Sequence, residues 1–379
     1  MPTMTISAPD ADDLLALLTG AGYVRLLPNV LYPASVFLDL SGEDLRRRLY
    51  LTTDAEGNEL CLRPDLTIPT ALMHLAGPEP TSEAAYCYLG PVYRFRANAP
   101  GEFVQAGLES FGRIDREAAD AEVMARAAEV VALWGVAMTE VRLGDLGLLT
   151  AMLDALALPP AWRRRLQRDA AREHGLSRDL AVLSGAAPAT ENHTALLATL
   201  DGTDPRAARA VVEDLLSIAG IARVGGRSAG EIADRFLEKA RLAAGAELPA
   251  ETREVLRRFL GIAGTPAECA AAIRALIADA GLGADDGLAQ AVAAFEHRTA
   301  LLAGRGFDVG AIRMATAFGR RLDYYTGLVF EFHAEGRSDL GPLAGGGRYD
   351  GLLQTLGAPA PVPAVGCAVW MERLQEARP

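Results

Sequence analysis

The segment FVQAGLESF, Phe103 to Phe111, carries an amide and a carboxylate four residues apart. Side chains of a strand alternate between its faces, so Gln105, Gly107 and Glu109 share one face while Val104, Ala106 and Leu108 take the other. The first face offers a hydrogen-bonding group, a gap and an acid, which suits a small cationic or hydrogen-bonding ligand. An ordinary half-exposed strand is the competing reading. Two nearby segments add groups of the same kind: Asp65 and Thr67 in LRPDLT, and Arg94 in GPVYRFR. The planar guanidinium of an arginine grips two oxygens of a carboxylate or phosphate at once. Further on, RRLDYYTGLVFEFH runs from Arg320 to His333 and contains Tyr324 and Tyr325. Read as a strand, LDYYTGLVFE places the two tyrosines on opposite faces, so at most one lines a pocket. GGGRYDGL follows at Gly345, and then AVGCAVWMERL, which reads as a short buried strand running into a helix with Arg373 in its first turn.

These groups need a scaffold, and the chain patterns supply one. Residues 12 to 22 read as a helix, Leu49 to Leu62 as a hairpin around AEGN, and Thr67 to Ala76 as a short helix. Strand-like runs Ala85 to Phe95 and Glu102 to Gly112 flank the turn-rich ANAPG, and Arg116 to Leu133 is strongly helical. From Leu146 to Arg305 the texture becomes alanine- and leucine-rich helix with almost no strand signal. Two capping boxes mark helix starts there, Ser228 with Glu231 and Thr265 with Glu268, the second with proline at the first helical position. Strand signals return after Ala311. The expected fold is mixed α/β (α+β), with an antiparallel sheet built from 1–154 and 289–379 and a helical insertion over 155–288.

Bulk properties narrow the function. The 379 residues are 50% apolar and 23% charged, which fits a large folded core. A net charge of −12 argues against a polynucleotide partner, which calls for a basic footprint. Lys239 is the sole lysine, a bias without functional content. Cys61, Cys87, Cys269 and Cys367 form no CxxC pair, so neither a disulfide framework nor a zinc knuckle is expected. The five histidines show no metal-ligand spacing, and no cofactor or catalytic triad is expected. With no long apolar run and acids near the N-terminus, the expected location is the cytoplasm, away from membranes.

In order and spacing, RRLDYYTGLVFEFH, GGGRYDGL and AVGCAVWMERL resemble the last third of the histidyl-tRNA synthetase catalytic core, a class II synthetase fold. The resemblance spans residues 12–155 and 290–374. It implies that Gln105 and Asp65 meet the α-ammonium group of a bound histidine, with Thr67 supporting that end. Glu109 and Tyr325 would meet the imidazole, and Tyr324 lies beside them. GPVYRFR resembles motif 2, which gives Arg94 the ligand carboxylate; AVGCAVWMERL resembles motif 3, which makes Arg373 a remnant nucleotide contact. Arg320 falls where the synthetases keep an arginine that helps activate histidine, though Arg321 replaces the glycine that follows it. GYVRLLPNVLYP is a looser match to motif 1, the dimer element, with Pro28 as the counterpart of its proline, and implies a homodimer.

Departures from the pattern set the functional expectation. Arg96 stands where the synthetases have a glutamate on adenine, the short ANAPG replaces a basic loop, and the sequence stops five residues after Leu374, so that no anticodon-binding domain is expected. Within the family this is similar to regulatory subunits of ATP phosphoribosyltransferase. The implied role is a non-catalytic histidine sensor that acts on a separate short-form catalytic subunit. The alternatives are a histidine-activating or histidine-ligating enzyme and a synthetase whose anticodon domain is another chain.

Overall fold

Alternation dictates the central sheet. Leu328, Phe330 and Phe332 face one way from LVFEFHA, as do Ala106 and Leu108 from EFVQAGLESF and Val365 and Val369 from AVGCAVW, and all of them are buried in one apolar cluster. The computed structural model describes residues 11–40, 43–136, 138–170, 210, 214, 223–224, 227–228, 248–320, 322 and 324–378. Its strands are β1 (Val24–Arg25), β2 (Leu31–Pro33), β3 (Leu51–Thr53), β4 (Glu59–Leu62), β5 (Ala84–Tyr93), β6 (Glu102–Phe111) and β7 (Met138–Asp145). They continue with β8 (Arg223–Val224), β9 (Arg227–Ser228), β10 (Ala263–Gly264), β11 (Arg313–Ala315), β12 (Leu328–Ala334), β13 (Ala344–Arg348) and β14 (Ala364–Trp370). Nine of them form one sheet in the order β1-β5-β6-β14-β13-β12-β7-β11-β10. Every pairing is antiparallel except β1 with β5 and β11 with β7. The expected hairpin is the β3–β4 pair, which β2 joins to make a small second sheet.

Helix Arg116–Leu133 packs its Val123, Met124, Ala127, Val130 and Val131 stripe, at helical spacing, on the apolar face of the large sheet. Helix Asp286–Gly304 lies against it through Leu288, Val292 and Phe295. Ionic bonds join these layers. Asp120, fully buried, accepts from Arg298 Nε at 2.8 Å and from Arg348 Nε at 2.8 Å. Arg298 also donates to Asp145 at 2.6 Å, and Asp145 caps the helix Leu146–Ala155 by accepting from the Gly147 and Leu148 amides. Each of these four buried charges is thus paired and hydrogen-bonded, the condition under which burial of ions is tolerated.

Helices Ala250–Leu260 and Pro266–Asp279 bury Leu256, Phe259, Cys269 and Ile273 in the same cluster. The Thr265–Glu268 capping box is present in both directions; the Ser228–Glu231 box runs into residues outside the described ones. Two sequence expectations need correction. The helix-rich stretch contains β10, a two-residue edge strand on β11, and the β8–β9 pair, each strand too short to show any period. Tyr324 and Tyr325 precede the strand, which begins at Leu328, so alternation does not govern them. The four cysteines are buried and unpaired, and no described helix is long and apolar enough to cross a membrane.

Candidate functional site

The sheet face opposite the helices carries the polar set. A cavity of about 730 Å³ lies there, lined by Asp65, Thr67, Arg94, Gln105, Arg320, Tyr324, Tyr325 and Arg373 among others. Eight of the nine residues singled out from the sequence therefore share one cavity. Glu109 lies just behind its wall, under Tyr349 and Gly366, which do line it.

Strand β6 places Gln105 and Glu109 through its neighbours. Gln105 sits between Gly90 of β5 and Trp370 of β14, and Glu109 sits between Tyr86 and Gly366. A methyl group at Gly366 would overlap the Glu109 carboxylate, so glycine is required for that acid to reach forward. The gap at Gly107 does not receive a ligand, as the alternation argument expected. The Tyr88 ring fills it, and its hydroxyl donates to Glu109 Oε1 at 2.9 Å. The Tyr349 hydroxyl donates to the other carboxylate oxygen. Burial pushes the Glu109 pKa up to about 8, against the opposing pull of the Tyr349, Thr67 and Tyr88 hydroxyls.

Gln105 is 1% exposed, yet both its amide oxygen and its amide nitrogen lack a partner among the described residues. Asp65 shares that state in part. Its Oδ1 accepts from the Ile68 amide at 3.2 Å, at the start of helix Thr67–Leu75, while its buried Oδ2 has no partner among the described residues. Burial raises the Asp65 pKa, and the Arg94 guanidinium opposes the shift. Two orphaned buried acceptors in one cavity, one of them a carboxyl, are what an ammonium group would satisfy. Arg94 is anchored by its Nε on the Pro64 carbonyl at 2.5 Å, one residue before Asp65. Arg63, in the same LRPDLT element, ties the Pro28 and Asn29 carbonyls to Pro91, which fixes this loop against β5.

Arg320 is 9% exposed and donates to the Phe330 carbonyl at 2.9 Å. Its guanidinium lies where a side chain on Gly345 would be, so the first glycine of GGGRYDGL makes room for it. Arg321 and Asp323 lie outside the described residues. Both tyrosines line the cavity, contrary to the one-tyrosine expectation, with ring centres 5.0 Å apart. Arg373 donates to the Pro342 carbonyl at 2.7 Å and stacks on Trp370 at 4.8 Å. Burial, reinforced by Arg94, Arg96 and Arg320, draws its pKa down to about 10.

Sequence reasoning passed over Arg48, Arg142, Glu331, His333 and Tyr349, which also line the cavity. Glu331 and His333 had a signal: they are the alternate polar positions of an otherwise apolar strand, and they pair at 3.1 Å. Tyr349 lay inside GGGRYDGL without a role. Arg48 and Arg142 carried no local mark.

A largely antiparallel sheet backed by helices, with a cavity of mixed charge on its open face, is the class II aminoacyl-tRNA synthetase-like fold. The chain belongs to the histidyl-tRNA synthetase family, whose model matches residues 10–224 and 210–374, and within it to the ATP phosphoribosyltransferase regulatory subunits. A protein of that name from Brucella anthropi is 41% identical over 350 residues, 91% of each chain, and one from Brucella canis is equally similar. Among solved structures, an ATP phosphoribosyltransferase regulatory subunit/histidyl-tRNA synthetase from Bacillus halodurans matches with a TM-score of 0.67 at 21% identity. It covers 100% of this chain and 84% of that one. A histidyl-tRNA synthetase from a Nostoc species matches with a TM-score of 0.61 at 17% identity, over 99% of this chain and 75% of that one. At these identities the two structures speak for the fold alone.

Proposed function

We propose that the protein is a non-catalytic subunit that binds histidine and exerts feedback control on a separate short-form ATP phosphoribosyltransferase catalytic subunit, at the first step of histidine biosynthesis. The observation that carries the reading is the pair of orphaned buried acceptors, on Gln105 and Asp65, in the cavity that Arg94 lines. Gln105 and Asp65 receive the ammonium group, with Thr67 beside them, and Arg94 receives the carboxylate. Tyr325 and Tyr324 enclose the imidazole, and Glu109 reaches it through the Tyr349 layer. Arg320 closes the wall.

In this reading 1–154 and 289–379 form the core, 155–288 is the insertion, and the protein is a cytoplasmic homodimer without nucleic-acid or membrane partners. Exposed Val24, Leu27, Val30 and Leu31 around edge strand β1 support self-association. Feedback requires histidine to bind one state of the complex more tightly than another; a coupling of about 1–3 kcal/mol changes affinity roughly 5- to 150-fold.

Calorimetric titration of the purified chain with histidine is the test. Wild-type protein binds, while Asp65→Ala and Gln105→Leu weaken binding roughly 10- to 100-fold, the effect of losing a hydrogen bond to a charged group. Histidinol, which has a hydroxymethyl group in place of the carboxylate, binds more weakly because Arg94 loses its partner. Absence of histidine binding, or equal binding by the variants, refutes the reading. A second reading, a histidine-activating enzyme, is favoured by the cations Arg94, Arg320 and Arg373 on one cavity, and opposed by Arg96 in place of the glutamate on adenine. Histidine-dependent exchange of pyrophosphate into ATP would establish it.

A further inference from the structure

Arg320 reaches the cavity at the end of a short segment, Thr316–Arg320, that follows β11. Two helices from opposite ends of the proposed insertion grip this segment. From one end, the carbonyl of Ala170, the last residue of helix Pro160–Ala170, lies so near Gly319 that a methyl group there would overlap it. Gly319 is not among the positive-φ glycines, so close approach rather than backbone conformation is what requires glycine. From the other end, helix Ala250–Leu260 and the residues after it accept from Thr316, which is fully enclosed. The Thr316 hydroxyl donates to the Phe259 carbonyl at 2.5 Å, and its amide donates to the Ile262 carbonyl at 3.1 Å. Strand β7 backs the segment, where a methyl group at Gly144 would overlap the Phe318 carbonyl. Contacts on three sides fix where Gly319 delivers the next residue. The placement matters for binding, because Arg320 Nε is buried and has no partner among the described residues. A ligand acceptor would complete it.

We propose that Gly319 and Thr316 are positioning residues: through them the two helices at the ends of the insertion set where Arg320 stands in the cavity. At its far end the Arg320 guanidinium is held by the Phe330 carbonyl at 2.9 Å and the Glu331 carboxylate at 3.5 Å. Displacing Gly319 draws the guanidinium off those partners and misplaces its free N–H. The insertion thereby shapes the binding cavity from outside it. This concerns the geometry of Arg320 in the ligand-free protein, and only the second of its two tests rests on histidine being the ligand.

The first test is nuclear magnetic resonance of the ligand-free protein, isotope-labelled at its arginine nitrogens. The Nε–H resonance of Arg320 is the one lost in Arg320→Met. It shifts in Gly319→Ala, whose methyl group meets the Ala170 carbonyl, and in Thr316→Val, which serves should Gly319→Ala fail to fold; Thr316→Ser restores it. The resonances of the other buried arginines stay in place, which separates repositioning from a general loss of structure. The second test is histidine titration in a double-mutant cycle. Gly319→Ala and Arg320→Met each weaken binding, by roughly tenfold, and the double variant binds no more weakly than Arg320→Met alone. A residue that acts through Arg320 has nothing left to act on once Arg320 is gone. An Arg320 resonance unmoved in both Gly319→Ala and Thr316→Val overturns the proposal. So does a Gly319→Ala loss that adds in full to that of Arg320→Met. Wild-type protein that binds no histidine sinks the sensor reading alone, and the resonance still decides this one.

Discussion

Replacing Glu109 by glutamine should remove a specific pH dependence from the stability of the fold. The carboxyl is fully buried, and its pKa rises from 4.5 to about 8, chiefly because burial penalises the charged form. A group whose folded pKa lies above its unfolded value favours the fold at low pH. That contribution is complete below about pH 4.5 and is lost as pH rises through about 8. Between those limits the unfolded chain has released the proton and the folded chain has not. Stability therefore falls by about 1.4 kcal/mol per pH unit, or roughly 5 kcal/mol over the whole interval. Other groups titrate too, but they are common to wild type and Glu109→Gln, so the difference between the two isolates this carboxyl. Urea denaturation of both proteins without ligand, from about pH 5 to about pH 9, gives that difference directly. Wild type should lose ground to the variant steadily as pH rises. A difference constant to within about 1 kcal/mol would refute the claim that Glu109 is held neutral by burial.

Two further substitutions probe what holds the site's surroundings. Asp120→Ala leaves the Arg298 and Arg348 guanidiniums buried without their shared acid and should cost about 3–5 kcal/mol in urea denaturation; a loss below about 1 kcal/mol would show the bridge to be dispensable. Thr316→Val removes the hydroxyl that donates to the Phe259 carbonyl at 2.5 Å and ties the cavity-lining segment after β11 to helix Ala250–Leu260. It should cost about 1–3 kcal/mol, with Thr316→Ser restoring most of it, and calorimetric melting of the three proteins checks both statements.

Much of this protein was written in its local patterns. Helix Arg116–Leu133, the β5 and β6 strands and the Thr265 capping box follow from spacing alone, because helix and strand periods are properties of neighbouring residues. The polar face of β6 was legible for the same reason, and the motifs carried enough identity to bring eight of nine chosen residues into one cavity. What filled the space around them was not legible. Gly107 read as room for a ligand until Tyr88, from the neighbouring strand, took that room. Tyr324 and Tyr325 read as opposed until the strand started three residues later. Arg96 read as a mere departure until Phe103 and Glu372, the latter 276 residues away, gave it a place. Sequence determined the elements and the chemical types on each face. Tertiary structure alone decided which side chains meet across strands and which polar atoms are left without partners, since those depend on register and packing between segments distant in the chain.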